Sequence, residues 1–214
     1  MLRCAAVKLL VLGATGGTGQ QVVTQALDAG YDVTALTRTA GKITIHHSRL
    51  RVLQGGLPDA RALAEAMRSQ DAVVSAIGRG KTFKSDHLIE RSVPAILAAM
   101  HNAKVPRLMF TSALGVGATF QDSPWMAKLF FRTLLREIYA DKLIGDDLIR
   151  KSGLDWTIVQ PGVLTDGPLT RRYRCGERLA MSGMPKISRA NVAHFMLDRI
   201  NDASTSGRTI VIAE

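Results

Sequence analysis

Seven residues near the amino terminus, Gly13-Ala14-Thr15-Gly16-Gly17-Thr18-Gly19, constrain the fold more than any other part of the chain. They follow an apolar run from Val7 to Leu12. They precede a stretch, Thr18 to Ala29, in which Val22, Val23, Ala26 and Leu27 share one helical face. Such a run suits a strand buried on both sides of a parallel sheet. Gly30 is placed to end the helix as its C′ residue, and Tyr31 to Thr37 is again rich in strand formers. Strand, glycine turn, helix and strand follow within about 30 residues, which makes one βαβ unit.

The alternation continues to the carboxyl terminus. Strands are predicted near 50–53, 71–78, 107–113, 155–161 and 208–213. Helices are predicted near 58–69, opened by Pro58-Asp59, and near 86–102, 125–152 and 189–201. Seven strands interleaved with helices define an α/β fold, a Rossmann-like doubly wound parallel sheet with helices on both faces. The 214 residues suit one domain. Residues 161–188 carry Pro161, Pro168, Pro185 and scattered glycines without clean periodicity, and are expected to form a lid or small C-terminal substrate lobe.

In such sheets the ligand binds at the carboxyl ends of the strands, and the glycine turn is the first of these. Its GxxGxxG spacing has a physical reading. Gly13 permits the tight turn, Gly16 lets backbone approach a pyrophosphate, and Gly19 lets the helix pack close to the sheet. The turn is read as a dinucleotide site. An acid at the end of the second strand would bind a ribose 2′-hydroxyl, whereas a cation would take a 2′-phosphate. The chain offers Thr37-Arg38-Thr39 and then Lys42, with no acid. NADPH is therefore expected over NADH, with Arg38 as bidentate phosphate partner and Lys42 as a second charge. The alternative is two solvated surface cations.

Lys and Arg number 28 against 18 Asp and Glu, a formal charge of +10, which favours anionic partners. Between Pro168 and Arg189, Arg171, Arg172, Arg174, Arg178, Lys186 and Arg189 face one acid, Glu177. With 5 % aromatic residues and only Tyr173 in that patch, nucleic acid is a poor main partner. Cys4 and Cys175 lack metal-ligand spacing, and a reducing cytoplasmic setting is expected. The histidines offer no ligand set. The run from Leu9 to Leu27 holds too many Gln, Gly and Thr residues to be a membrane span. The turn lacks the GKS or GKT ending of a nucleotide triphosphatase loop, and no GxSxG elbow marks a hydrolase.

Taken in order, GATGGTG (13–19), Arg38, DAVVSAIG (71–78), TSALGVG (111–117), RKSGLDWTIVQPGVLTDGPLTRRYR (150–174) and ISRANVAHFML (187–197) resemble the atypical short-chain dehydrogenase/reductase family. The resemblance is to its NAD(P)H-binding branch, which includes the biliverdin/flavin reductases, and it covers almost the whole chain. It implies an oxidoreductase that passes hydride to a planar, anionic small-molecule acceptor such as a flavin, quinone or tetrapyrrole. Other members bind the cofactor as a redox signal and catalyse nothing, so a non-catalytic NADP(H) sensor or regulatory protein is the alternative.

The resemblance also implies site residues. Thr15, Gly16, Gly17, Thr18 and Gly19 line the pyrophosphate, Ala76, Ile77 and Gly78 the adenosine ribose, and Thr111, Pro161, Gly162 and Val163 the nicotinamide end. Ser112 stands where the family sets a serine beside the nicotinamide, to orient or stabilise the acceptor, or is a strand-end serine bonded to backbone. Classical members carry YxxxK, whereas this chain reads Tyr139-Ala140-Asp141-Lys142, one residue shorter. Lys142 is expected to reach the ribose or substrate pocket. Tyr139 is either a proton donor or a half-buried aromatic. After the third strand the family has an acid beside the adenine, and this chain has Gly55-Gly56-Leu57. The apolar stretch 124–139, with Trp125, Leu129, Phe130, Phe131, Leu134, Leu135 and Ile138, is read as core, pocket cover or dimer surface. A monomer or weak homodimer is expected.

Overall fold

A computed structural model of the chain describes residues 6–78, 86–121, 133, 135–180 and 183–214. The first apolar run becomes β1 (Lys8–Leu12), and its side chains divide between two cores. Leu9 and Val11 pack on one face of the sheet with α1 (Gly17–Asp28), while Leu10 and Leu12 pack on the other. Both faces are therefore apolar, which is why the strand reads as an unbroken run rather than an alternation.

The chain continues through β2 (Asp32–Thr37), β3 (Leu50–Gln54), α2 (Ala60–Ala66), β4 (Ala72–Ser75), α3 (Leu88–Ala103) and β5 (Arg107–Thr111). Then come α4 (Arg136–Arg150), β6 (Asp155–Pro161), β7 (Val163–Thr165), β8 (Arg174–Gly176), β9 (Lys186–Ser188), α5 (Arg189–Asp198) and β10 (Arg208–Ala213). The main sheet has the order β3-β2-β1-β4-β5-β6-β10-β8. Its first seven members are parallel and are the seven strands expected from periodicity. The order reverses between β1 and β4, the switch point at which such sheets open a crevice.

Helices α1 and α5 cover one face, joined by the Gln25 side-chain amide donating to the Ala190 carbonyl at 3.0 Å. Helices α2 and α3 and Ile149 of α4 cover the other. Local signals set the helix ends. Asp59 caps α2 by accepting from the Arg61 and Ala62 amides. Gly30, at φ +91°, closes α1 with Gly30 N–H on Leu27 O and Tyr31 N–H on Ala26 O, the paired bonds of a Schellman end. The amino end of α3 is capped from a distance: buried Asp141 on α4 accepts from the amides of Ile89 and Glu90.

The 161–188 stretch carries three short strands. β7 pairs with β9, and β8 runs antiparallel to β10 at the sheet edge. Asn191 pins the segment between them. Its Oδ1 accepts from the Thr170 and Arg171 amides, and its Nδ2 donates to Thr170 Oγ1 and Glu214 Oε1. Strands of three residues carry too little pattern to be read in advance. Of the stretch 124–139, residues 124–132 and 134 lie outside the described residues, so Trp125, Leu129, Phe130, Phe131 and Leu134 receive no structural account. No helix of the described residues is long and apolar enough to cross a membrane.

Candidate functional site

At the end of β1, Gly13 adopts φ +80°, and its carbonyl accepts the Gly16 amide at 3.0 Å. A Cβ at Gly13 would lie 2.6 Å from the Ala76 carbonyl oxygen, so the Ala76-Ile77 backbone after β4 rests directly on the turn. A Cβ at Gly19 would collide with the Gly13 carbonyl oxygen and come within 2.8 Å of Ala14 Cα. Gly16 and Gly17 are exposed, and Gly16 caps α1 with no side-chain bond. Gly16 brings no side chain to cap the first amides of α1, and the first turn holds no acid. This is the arrangement that receives a pyrophosphate.

Arg189, at the start of α5, lies over this cradle. A Cβ at Gly17 would be 2.7 Å from Arg189 Cδ and 3.0 Å from its Nε. The guanidinium is held from the other side by Asp166, at 2.6 Å. The sequence places Arg189 in a basic patch and in the motif 187–197; the fold adds its position over Gly17.

Arg38 and Lys42 stand exposed beyond β2, and neither has an ion-pair partner among the described residues. The Thr39 amide bonds Thr37 Oγ1 at 3.2 Å, and Gln54 Nε2 donates to the Arg38 carbonyl at 3.4 Å. These bonds fix the backbone and leave the guanidinium to solvent. Gly55 abuts Ala62, so the turn after β3 packs on α2 without an acid.

The ends of β5 and β6 carry a buried polar cluster. The Ser112 amide donates to Val159 O at 2.8 Å, and its hydroxyl donates to Asp146 Oδ2 at 2.9 Å. Asp146 also faces Gln160 Nε2 at 3.4 Å and the Arg150 guanidinium at 3.8 Å. Burial outweighs these partners and pushes its carboxyl up to about 6. Lys142, one turn earlier on α4, directs Nζ to the Thr111 carbonyl at 3.4 Å. Withdrawal from water holds its ammonium below the ordinary lysine range, opposed by Asp146 and Asp141. Thr111 Oγ1 contacts Met196 Sδ at 3.3 Å.

The structure brings Ser112, Lys142 and Thr111 together. Tyr139 sits beside them with its hydroxyl donating to Leu114 O at 2.8 Å, and burial raises its pKa well above the ordinary phenol range. Pro161 accepts the Leu114 amide at 3.1 Å, Gly162 abuts Pro185 across the β7–β9 connection, and Val163 is exposed. Gly78 is exposed, with Ile77 buried beneath it.

Sequence reading missed Asp146, Gln160 and Asp141. Two signals were present: Asp146 lies four residues after Lys142, on the same helical face, and Gln160 is a lone polar residue near the end of a central strand.

Comparison with known proteins identifies the family. A family model described as NAD(P)H-binding matches residues 13–203. The chain belongs to the NAD(P)H-binding family. It is 26 % identical over 203 residues to an uncharacterised protein, YwnB, of Bacillus subtilis, covering 90 % of this chain and 92 % of that one. It is 31 % identical over 162 residues to a (4-alkanoyl-5-oxo-2,5-dihydrofuran-3-yl)methyl phosphate reductase of Streptomyces griseus, covering 76 % of this chain and 50 % of that protein. In fold it resembles a short-chain dehydrogenase/reductase from Veillonella parvula solved with NADP. The TM-score is 0.83 at 20 % identity, over 97 % of this chain and 94 % of that one.

The cradle, closed to a Cβ at Gly13 and Gly19 and without a side-chain cap at Gly16, fits the pyrophosphate of a nicotinamide dinucleotide. Gly13, Gly16, Gly19 and the first amides of α1 would hold its pyrophosphate.

Proposed function

We propose that this protein is an NADPH-dependent reductase that passes hydride to a planar, anionic acceptor such as a flavin, a quinone or a tetrapyrrole. The observation that carries the reading is the buried Ser112–Asp146–Lys142 cluster. It lies at the carboxyl end of β5, on the same edge of the parallel sheet as the glycine cradle. Polar groups withdrawn from water at that edge can act on charge developing in an acceptor. The nicotinamide, when bound, supplies the hydride.

The chain's own residues do the remainder. Thr15, Gly16, Gly17, Thr18 and Gly19 bind pyrophosphate, Ala76, Ile77 and Gly78 border the adenosine ribose, and Thr111, Pro161, Gly162 and Val163 bound the nicotinamide end. Ser112 orients the acceptor by a hydrogen bond. Lys142 holds the ribose or the acceptor through its ammonium. Tyr139 takes part in proton transfer only by exchanging its bond to Leu114 O for one to the acceptor. The arginines of 168–189 favour a phosphate or carboxylate on the acceptor, in keeping with the phosphate ester named for the Streptomyces griseus reductase.

The exposed cations Arg38 and Lys42 beyond β2 support NADPH over NADH. Arg38→Ala is expected to weaken NADPH binding roughly tenfold and leave NADH unchanged, since one exposed charge-assisted bond contributes about 1.4 kcal/mol. Fluorescence titration of both cofactors measures this, and equal losses for the two would remove the 2′-phosphate assignment.

Ser112→Ala is expected to lower kcat at least roughly tenfold with unchanged NADPH affinity, by loss of one donor at the reacting centre. Steady-state kinetics with FMN or a small quinone gives the test. An unchanged kcat would take Ser112 out of the reaction.

A further inference from the structure

Asp146 lies wholly inside the protein on α4. Its Oδ2 takes the Ser112 hydroxyl hydrogen, while its Oδ1 has no hydrogen-bond partner among the described residues. A serine has one hydroxyl hydrogen, and while Asp146 holds it none is left for an acceptor.

The geometry points to Asp146 as the positioning residue that sets the direction of the Ser112 hydroxyl and recharges it with a proton. As a carboxylate it draws the serine hydrogen inward. As a carboxylic acid protonated on Oδ2 it donates to Ser112 Oγ, and the serine hydrogen turns outward to the acceptor. This rests on the reductase reading and deepens it by naming the proton source.

The step balances. The acceptor gains hydride from NADPH, which leaves as NADP, and the resulting anion takes the Ser112 hydrogen. Ser112 takes the proton from Asp146 Oδ2, and the carboxylate is reprotonated from water. Net, one NADPH, one acceptor and one proton give NADP and the two-hydrogen-reduced acceptor.

The surroundings suit this role. Among the described residues, the charges that face Asp146 are Lys142 and Arg150, both on its own helix, with Asp141 acting on Lys142. β6 and the end of β5 contribute only neutral Gln160 and Ser112. Gln160 is itself fixed, with Oε1 accepting from Thr119 Oγ1 at 2.6 Å and Nε2 donating to Val116 O at 3.0 Å, so it cannot turn to satisfy the carboxylate fully. The carboxyl pushed up to about 6 can hold a proton under mildly acidic conditions.

The test pairs two readouts on the full chain. One is carboxyl carbon NMR titration of Asp146 without cofactor. The other is the pH profile of kcat with NADPH and FMN, or a small quinone. Asp146 is expected to titrate well above the ordinary aspartate range and to move higher still in Ser112→Ala, which loses the donor that favours the carboxylate. In the parent, kcat is expected to fall tenfold per pH unit above that midpoint. In Asp146→Asn the profile becomes flat and kcat at the acid end drops roughly 100-fold. Ser112→Thr keeps the slope, because a hydroxyl remains. Should Asp146→Asn fail to fold, the two Ser112 variants and the titration decide.

Turnover whose pH profile is the same in Asp146→Asn, or in Ser112→Ala, overturns the relay and leaves the reductase standing. An Asp146 that titrates in the ordinary range, indifferent to Ser112, does the same. Absence of turnover on any acceptor at any pH removes the reductase reading and the relay with it.

Discussion

Replacing Gly19 by alanine is expected to abolish most cofactor binding and to lower the melting temperature. The added methyl would meet the Gly13 carbonyl oxygen and Ala14 Cα, which are backbone atoms that no rotamer change can clear. The start of α1 must therefore move off the turn, and the amides that face the pyrophosphate move with it. Overpacking of this kind costs about 1–3 kcal/mol, or roughly 2–12 °C in a domain of this length. NADPH affinity is expected to fall at least roughly 100-fold, because every amide of the cradle is displaced together. Gly41→Ala is the control, since a Cβ there meets nothing within 4 Å, and its melting temperature should match the parent. Thermal melts with and without NADPH give both quantities. A Gly19→Ala protein that melts and binds like the parent would mean the turn does not hold the cofactor.

The second large effect is on stability against pH. Asp146 is held at about 6, above the ordinary aspartate value of 3.8. Between those values the folded chain keeps a proton that the unfolded chain has lost, so stability falls as pH rises from about 4 to about 6 and is level above. At 1.36 kcal/mol per pH unit the loss is about 3 kcal/mol. Asp146→Asn cannot titrate and escapes it. Relative to the parent, the variant should therefore gain about 2–3 kcal/mol between about pH 4 and neutral solution. Urea unfolding at both pH values measures this double difference. Parallel stabilities for the two proteins would show that the Asp146 carboxyl titrates normally.

The architecture could be read from the chain because burial on both faces leaves a plain record. The central parallel strands are apolar runs, and α1 and α3 each keep one apolar face. Gly30 and Asp59 marked helix ends that the structure shows, with Gly30 in the left-handed region and Asp59 capping two amides. The short strands β7, β8 and β9 escaped notice because three residues hold too few alternations to stand above chance. Their pairing depends on the lobe folding back across the sheet edge.

The tight turn at Gly13 and the close helix packing at Gly19 were equally legible, since their spacing between an apolar run and a helical face requires them. The polar cluster was legible only in part. Ser112 and Lys142 are recognisable from position, but the partner that controls Ser112 is 34 residues away in sequence and meets it only when α4 packs on β5 and β6. Asp141 stands between Tyr139 and Lys142, and its role is not legible from that spacing. It proves to be the cap of α3, and that fixes the face α4 presents. Arg189 looked like one of six local cations until the fold laid its side chain across Gly17.

The central claim is that the chain is an NADPH-dependent reductase. The most direct measurement is consumption of NADPH and of NADH by the purified protein with FMN, riboflavin, biliverdin and small quinones in turn. Turnover is expected with at least one of these acceptors, with kcat/KM for NADPH at least roughly tenfold above that for NADH. Tight NADPH binding with no turnover on any of them would contradict it and would leave a protein that binds the cofactor without using it.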